Sequence, residues 1–292
     1  MSQEKPNILI LGASGGVGNA VFKNLNRDNK YNLTGTFFNH DQPDLLHCDI
    51  CNPESIRRVV GKSKPDYILN FAGMAQQGLC NNNPEKAHRT NVGGTENTFR
   101  LALDNNIPYF YPSSIAVFSA YTDGGKCDED TPTNPKADSV YGQTKVGAEN
   151  ILSQSSGKHL TIRTDLVLHP DLGFVKLIND YQYAGIKING GRFPIYLPDL
   201  LNSIESFIDQ PENPNRLQHL INPDYRLGIK LANLADIVIR KFGLAKETIT
   251  TPNITYFVPR TDVNAKMPIY IDPNADNNAT QRFLFTTKFP SL

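Results

Sequence analysis

Short apolar runs punctuate the chain up to residue 162, at 8–11, 33–38, 45–48, 67–71, 109–111 and 160–162. Each is too short for a helix and is bounded by polar or turn-forming residues, so each predicts a strand. Between several of them apolar positions recur at helical spacing, over 17–25, 53–60, 84–104 and 140–152. Strand and helix alternate. That order predicts an α/β fold, a doubly wound parallel sheet with helices on both faces and ligands at the carboxyl ends of the strands. Past residue 170 the rhythm breaks into shorter pieces, with helical patterns at 174–183, 199–208 and 228–242. The chain from 261 is rich in Asn, Asp and Thr, and 274–280 is almost wholly polar, which predicts irregular surface chain.

The first apolar run leads directly into Gly12-Ala13-Ser14-Gly15-Gly16-Val17-Gly18 and then a helix start. A dinucleotide loop needs this setting: Gly12 for the tight turn, Gly15 for backbone approach to a pyrophosphate, Gly18 for close packing of helix on sheet, and the phosphates at the helix N-terminus. Ser14, Gly16 and Val17 complete the loop. The same residues also fit the GxSxG turn of serine hydrolases, but that turn needs an oxyanion loop from earlier strands, and only eleven residues precede Gly12. The sequence therefore predicts a dinucleotide-binding Rossmann domain over 1–169. A smaller mixed substrate-binding lobe is expected over 170–292, with part of the later chain free to return to the sheet.

Tyr141 and Lys145 stand four residues apart in the helical segment that begins at 140, so they share one helix face. A lysine ammonium there can sit beside a cofactor while the phenol points at a substrate. The nearby cation favours phenolate and makes the phenol a usable acid near neutral pH. Ser113-Ser114 lies between this pair and the glycine loop, and a serine hydroxyl can complete the set by hydrogen-bonding a reacting carbonyl.

Composition narrows the field further. Lys plus Arg equals Asp plus Glu at 29 each, with no long block of either sign, so no nucleic-acid footprint follows. The first residues carry no apolar signal region and no apolar run reaches about 18 residues, which predicts a cytoplasmic protein without a membrane span. Cys48, Cys51, Cys80 and Cys127 suit a reducing compartment. Cys48-x-x-Cys51 has no second pair at zinc-ribbon spacing, so the cysteines read as ordinary thiols and no metal is expected. Asn278-Ala279-Thr280 has the sequon form but no secretory signal accompanies it.

Seven motifs in order make the chain resemble the extended short-chain dehydrogenases/reductases: Gly12-x-x-Gly15-x-x-Gly18, Cys48-Asp49-Ile50, Asn70-Phe71-Ala72-Gly73, Asn91-Val92-Gly93-Gly94-Thr95, Ser113 to Phe118, Tyr141-x-x-x-Lys145 and Ile162-Arg163-Thr164. The segment from Phe193 to Leu200 and Gln218-His219-Leu220 are similar to the second lobe of the dTDP-4-dehydrorhamnose reductase branch. The resemblance implies that Tyr141 is the proton donor, that Lys145 binds the nicotinamide ribose and lowers the tyrosine pKa, and that Ser114 polarises the substrate carbonyl. It also implies that Asp49 with Ile50 meets the adenine and that Phe71, Ala72 and Gly73 line the cofactor path. Asp49 has the alternative of capping a turn, Ala72-Gly73 that of tight packing at a strand end, and Asn91 that of a purely structural role. The second lobe would hold the nucleotide diphosphate, with Arg163 and Arg192 as helpers; Arg163 equally suits a structural place at a strand end.

Departures from that branch are specific. Met74 to Asn81 replace a Tyr-Thr-x-Val-Asp-x-x-Glu run, and Ile115-Ala116 replace Asp-Tyr. Met74, Ile115 and Ala116 are thereby expected to give the substrate an apolar wall. Ile115 also stands where dehydratases carry an acid. Beyond the second strand, NAD-specific loops place a carboxylate about 20 residues past the glycines, but Asn39 and His40 occupy that place. NADP(H) is therefore expected over NAD(H), with NAD(H) still admitted. The expected activity is reduction of a nucleotide-linked 4-keto-deoxysugar. A sugar-nucleotide 4-epimerase and a non-catalytic nucleotide-binding regulatory subunit are the alternatives, and a homodimer is compatible with each.

Overall fold

A computed structural model of the chain describes residues 4–119, 129–169, 172, 191–192, 195–212, 217–220 and 229–230. The helical patterns expected at 174–183 and 228–242, Cys127, Phe193, Pro194 and the chain from 261 lie outside the described residues. Eleven strands are seen among those residues: β1 (Asn7–Leu11), β2 (Asn32–Phe37), β3 (Leu46–His47), β4 (Tyr67–Asn70), β5 (Tyr109–Ser114), β6 (His159–Thr164), β7 (Val167–Leu168), β8 (Gly191–Arg192), β9 (Ile195–Tyr196), β10 (Leu217–His219) and β11 (Ile229–Lys230). The helices are α1 (Gly16–Arg27), α2 (Pro53–Ser63), α3 (Gln77–Asn82), α4 (Pro84–His88), α5 (Gly94–Asp104), α6 (Val140–Ser153) and α7 (Leu197–Asp209).

Seven strands form one sheet in the order β10-β6-β5-β4-β1-β2-β3, and β1 pairs in parallel with β2 on one side and β4 on the other. The pairs β2–β3 and β4–β5 are parallel as well, giving the mostly parallel, doubly wound Rossmann sheet that the alternating pattern predicts. Ile8, Leu9, Ile10 and Leu11 are buried on both faces of β1, the signature of a strand covered by helices above and below. Because the chain lays β2 and β4 on opposite sides of β1, a crevice opens at the carboxyl ends of β1 and β4, where such sheets bind ligands.

Local chemistry sets the helix ends. Asn52 caps α2 by accepting from the Glu54 and Ser55 amides, and Pro53 occupies the first helical position. Ser139 caps α6 through the Gly142 amide, which fixes the turn carrying Tyr141. The 84–104 helical pattern is realised as α4, a π-helical turn at Arg89–Gly93 and α5. The short strands β7 to β11 lie outside the sequence expectation, and two further elements near the site differ from it. Strand β5 continues three residues past Tyr111, through Pro112, Ser113 and Ser114, and α3 forms from a polar sequence without amphipathic spacing.

Two compact units divide the chain: residues 1–118, 133–163 and 197–218 make the first, and 119–132, 164–196 and 219–292 the second. The first holds nearly all of the seven-stranded sheet. In the second, β7 pairs with β9 in parallel and β8 with β11 antiparallel. Among the described residues no helix is long and apolar enough to cross a membrane.

Candidate active site

At the end of β1, Gly12 has φ +76, and a Cβ there would sit 2.7 Å from the Ala72 amide nitrogen at the end of β4. A Cβ on Gly18 would press on the Gly12 carbonyl and lie 3.1 Å from Phe71 Cβ. The two strand ends and the start of α1 therefore meet with no space for side chains, as a nucleotide crevice requires. The Gly12 amide donates to Thr36 Oγ1 at 3.0 Å and the Ser14 amide to the Thr36 carbonyl at 3.3 Å, so β2 holds the loop. Gly15 stands at the N-cap of α1 with no side-chain cap, and the first turn has no acidic residue. The amides at the start of α1, from Gly16 and Val17 onward, thus have no side-chain cap from the N-cap residue. This environment fits an anionic pyrophosphate.

Around this crevice, Asn39 and His40 are exposed just beyond β2, next to Phe38, which is 49% exposed. Asp49 is half-buried and accepts from the Cys51 amide at 2.8 Å, so its carboxylate caps the turn before α2, while Ile50 is buried against Gly94. Phe71 and Ala72 are half-buried and Gly73 is exposed.

Ser114 ends β5, 7% exposed, and its hydroxyl accepts from the Ala116 amide at 3.2 Å. A Cβ on Gly142 would lie 2.5 Å from the Ala116 carbonyl, so α6 packs directly on the turn that follows Ser114. Tyr141 occupies the first turn of α6 and is half-buried. Lys145 follows one turn on. The residue as a whole is half-buried, yet its ammonium is enclosed: it donates to the Tyr111 hydroxyl at 3.1 Å and to the Pro112 carbonyl at 2.8 Å. It lies 4.5 Å from the Tyr111 ring centroid and 5.7 Å from that of Tyr141. Burial pulls Lys145 from its usual value near 10.5 down to about 8, against the opposing attraction of Glu149 and Cys80. Burial likewise pushes the Tyr111 phenol well above the ordinary tyrosine range, with the Tyr141 phenol adding to it. At neutral pH Tyr111 is a neutral hydroxyl and Lys145 an ammonium with little margin.

Two buried networks support this floor. Asn91, 3% exposed in the π-helical turn, accepts from the Met74 amide at 2.7 Å and donates to the Met74 carbonyl at 2.9 Å and to Thr144 Oγ1 at 3.0 Å. One amide thus ties the loop after β4 to α6 beside Lys145. On the other side of the site residues, Ser113 and Arg163 both donate to Glu149 on α6, and the Arg163 guanidinium lies 4.9 Å from the Phe118 ring centroid.

The structure brings Ser114, Tyr141 and Lys145 to the carboxyl end of β5 and the start of α6, within the same unit as the glycine loop. Of the expected apolar wall, Met74 and Ala116 are half-buried, whereas Ile115 is 1% exposed and offers a ligand almost no surface. Arg163 is 3% exposed with its guanidinium committed to Glu149, the structural place at a strand end that its position also suited. Arg192 lies on β8, opposite Ile229 of β11. Sequence reasoning passed over Tyr111, the bond from Ser113 to α6, and Glu149. Only the last left a trace, as a carboxylate four residues beyond Lys145 on the same helix face.

Among the described residues no group of three or more His, Cys, Asp or Glu side chains could hold a metal ion. Cys48, Cys51 and Cys80 are free, and burial pushes the Cys48 thiol up to about 11 and raises the other two. All three are therefore neutral thiols at pH 7.

Residues 6–183 match the family described as the RmlD substrate binding domain, and the chain belongs to that family. It is 29% identical over 164 residues to the dTDP-4-dehydrorhamnose reductase of Salmonella typhimurium, covering 55% of this chain and 51% of that protein. It is 25% identical over 202 residues to methionine adenosyltransferase 2 subunit beta of Xenopus tropicalis, covering 66% and 59%. The chain thus spans between half and three fifths of the length of these relatives. In fold it is similar to the dTDP-4-dehydrorhamnose reductase of Bacillus anthracis in complex with NADP, with a TM-score of 0.70, 20% identity and 86% of each chain covered.

Proposed function

We propose that this member of the RmlD family is a nicotinamide-dependent reductase of a nucleotide-linked 4-keto-deoxysugar. The observation that carries the reading is the enclosed Lys145 ammonium, held by Tyr111 and Pro112 at 5.7 Å from the Tyr141 ring, beside the strand end that presents Ser114. A bound nicotinamide would supply the hydride. The Tyr141 hydroxyl donates the proton to the carbonyl oxygen as it gains charge, and the Ser114 hydroxyl donates a hydrogen bond to the same oxygen. Lys145 serves twice, as a donor to the cofactor ribose and as the cation that favours the phenolate left on Tyr141 after proton transfer.

Gly12, Ser14, Gly15, Gly16, Val17 and Gly18 would hold the pyrophosphate. Asp49 with Ile50 would bound the adenine, and Phe71, Ala72 and Gly73 the path to the nicotinamide. Asn39 and His40 favour NADPH, since neither is a carboxylate that would repel a 2′-phosphate; solved structures of similar fold hold either cofactor, NADP in the B. anthracis reductase and NAD+ in Bordetella bronchiseptica WbmH. Met74 and Ala116 would give the sugar an apolar wall, which suits a 6-deoxy or 3,6-dideoxy ring better than a fully hydroxylated one, because a buried hydroxyl without a partner costs binding energy. The second compact unit, residues 119–132, 164–196 and 219–292, would form the substrate lobe, with Arg192 as its candidate cation.

The test is cofactor consumption against a panel of keto-sugar nucleotides, with NADPH oxidation in the presence of a 4-keto-deoxysugar nucleotide as the expected result. A second reading, a non-catalytic regulatory subunit, draws support from the likeness to methionine adenosyltransferase 2 subunit beta and from the replaced substrate-facing side chains. Tight cofactor binding with no consumption on any member of the panel would favour it.

A further inference from the structure

Glu149 lies on α6 one turn beyond Lys145 and two turns beyond Tyr141, so the three share a helix face. Its carboxylate is 8% exposed and held from two directions. Ser113 Oγ donates to Oε1 at 2.5 Å, while Arg163 donates from Nε to Oε1 at 3.0 Å and from Nη2 to Oε2 at 2.6 Å. Stability alone is a weak reason for such a pair, since desolvating two charges costs much of what their attraction returns. Position gives a better one. Strand β5 grips Lys145 through Tyr111 and Pro112, grips Glu149 through Ser113, and ends in Ser114, so four consecutive residues serve one site.

We propose that Glu149 is a positioning residue for Lys145, a buried carboxylate fixed by Ser113 and Arg163 whose charge keeps the lysine in the ammonium form that the cofactor and Tyr141 require. Burial lowers Lys145 to about 8, and the Glu149 carboxylate is the largest attraction opposing that shift. Among the described residues, the phenols of Tyr111 on β5 and Tyr141 on α6 also face Lys145. On the other elements packed against α6, Glu85, Lys86, His88 and Arg89 are exposed, and Glu96 pairs with Arg100. Without Glu149, a large part of the Lys145 population would be neutral amine at physiological pH. The consequence for turnover rests on the reductase reading, but the charge clamp itself can be read in the cofactor-free protein.

The experiment follows the 13Cε resonance of Lys145 through a pH titration of [13C]lysine-labelled full-length protein, with the signal assigned by its loss in Lys145→Arg. Glu149→Gln should move the Lys145 midpoint to lower pH by about one unit or more. The alkaline fall in NADPH affinity should move with it, and Glu149→Asp, which keeps the charge, should recover most of the shift. Because Glu149→Gln leaves the Arg163 charge buried and unpaired, the double variant Glu149→Gln/Arg163→Met is measured alongside, with near-UV circular dichroism to establish its fold. It should shift in the same direction by a smaller amount, because the Arg163 charge leaves with the carboxylate. An unchanged Lys145 midpoint in either folded variant would overturn the proposal. If the midpoint shifts but the wild-type protein reduces no keto-sugar nucleotide, the reductase reading fails while the clamp stands.

Discussion

At the mouth of β1 the proposed cofactor loop presents backbone amides; beneath α6 the proposed catalytic floor is built of side chains whose charges are buried. The loop from Gly12 to Gly18 works by what is missing, since a Cβ at Gly12 would strike the backbone of Ala72. The floor works by what is enclosed: the Lys145 ammonium between Tyr111 and Pro112, and Glu149 between Ser113 and Arg163. Damage to the first region should therefore be steric and nearly independent of pH. Damage to the second should be electrostatic and appear as a shifted titration.

The largest effect is expected on the floor. Tyr141→Phe keeps the ring and removes the proposed proton donor, so turnover should fall by at least about 100-fold while NADPH still binds. Near-normal turnover would remove Tyr141 from the chemistry and leave the floor a purely binding surface.

Next comes the loop. Gly12→Ala forces an L-residue to φ +76 against the Ala72 backbone, which should cost about 1–2 kcal/mol from the left-handed conformation alone. NADPH affinity should fall with it by about tenfold, the equivalent of roughly 1.4 kcal/mol. Affinity and melting temperature measured at pH 6.5 and 8.5 should show the same loss at both. A pH-dependent loss would blur the distinction between the two regions.

The third effect separates binding from stability in a single residue. Lys145 titrates near 8 in the folded protein and near 10.5 unfolded. Between those values the unfolded chain binds more protons, so this group makes the cofactor-free protein more stable as pH rises from about 8 to 10.5. Over the same range the ammonium is lost and NADPH affinity should decline. Parallel denaturant and cofactor titrations should move in opposite directions in wild type, and Lys145→Met should flatten both. Parallel movement in wild type would show that another group governs the response.

The two regions also differed in how far the residues alone revealed them. The glycine loop, the alternation of strand and helix and the Tyr141/Lys145 spacing are local, so periodicity and motif reach them directly. The floor is assembled across distance: Glu149 and Arg163 lie fourteen positions apart on different elements, and Ser113 is thirty-six from Glu149. No local pattern reports such a pairing. Pro112-Ser113-Ser114 lacks strand-like apolar character, which hid the end of β5, and the polar run of α3 carries no helical stripe. Ile115 shows the converse problem. An apolar residue beside a site reads equally as pocket wall or core, and its 1% exposure assigns it to the core.

The smallest expected effect concerns cofactor choice at the rim of the loop. With Asn39 and His40 exposed beyond β2 and no arginine among them, NADPH should bind more tightly than NADH by only a few-fold, on the order of 1 kcal/mol. His40→Asp should reverse the order. Tighter NADH in the wild-type protein would remove both residues from cofactor selection.

The most direct measurement uses NADPH carrying deuterium at nicotinamide C4, on the transferable face, with a nucleotide-linked 4-keto-6-deoxysugar, and mass spectrometry of the sugar product. A one-deuterium gain at sugar C4, abolished in Tyr141→Phe, is the predicted result. Bound cofactor with no deuterium reaching the sugar, across 4-keto-deoxysugar nucleotides of different bases, would contradict the assignment of this chain as a reductase.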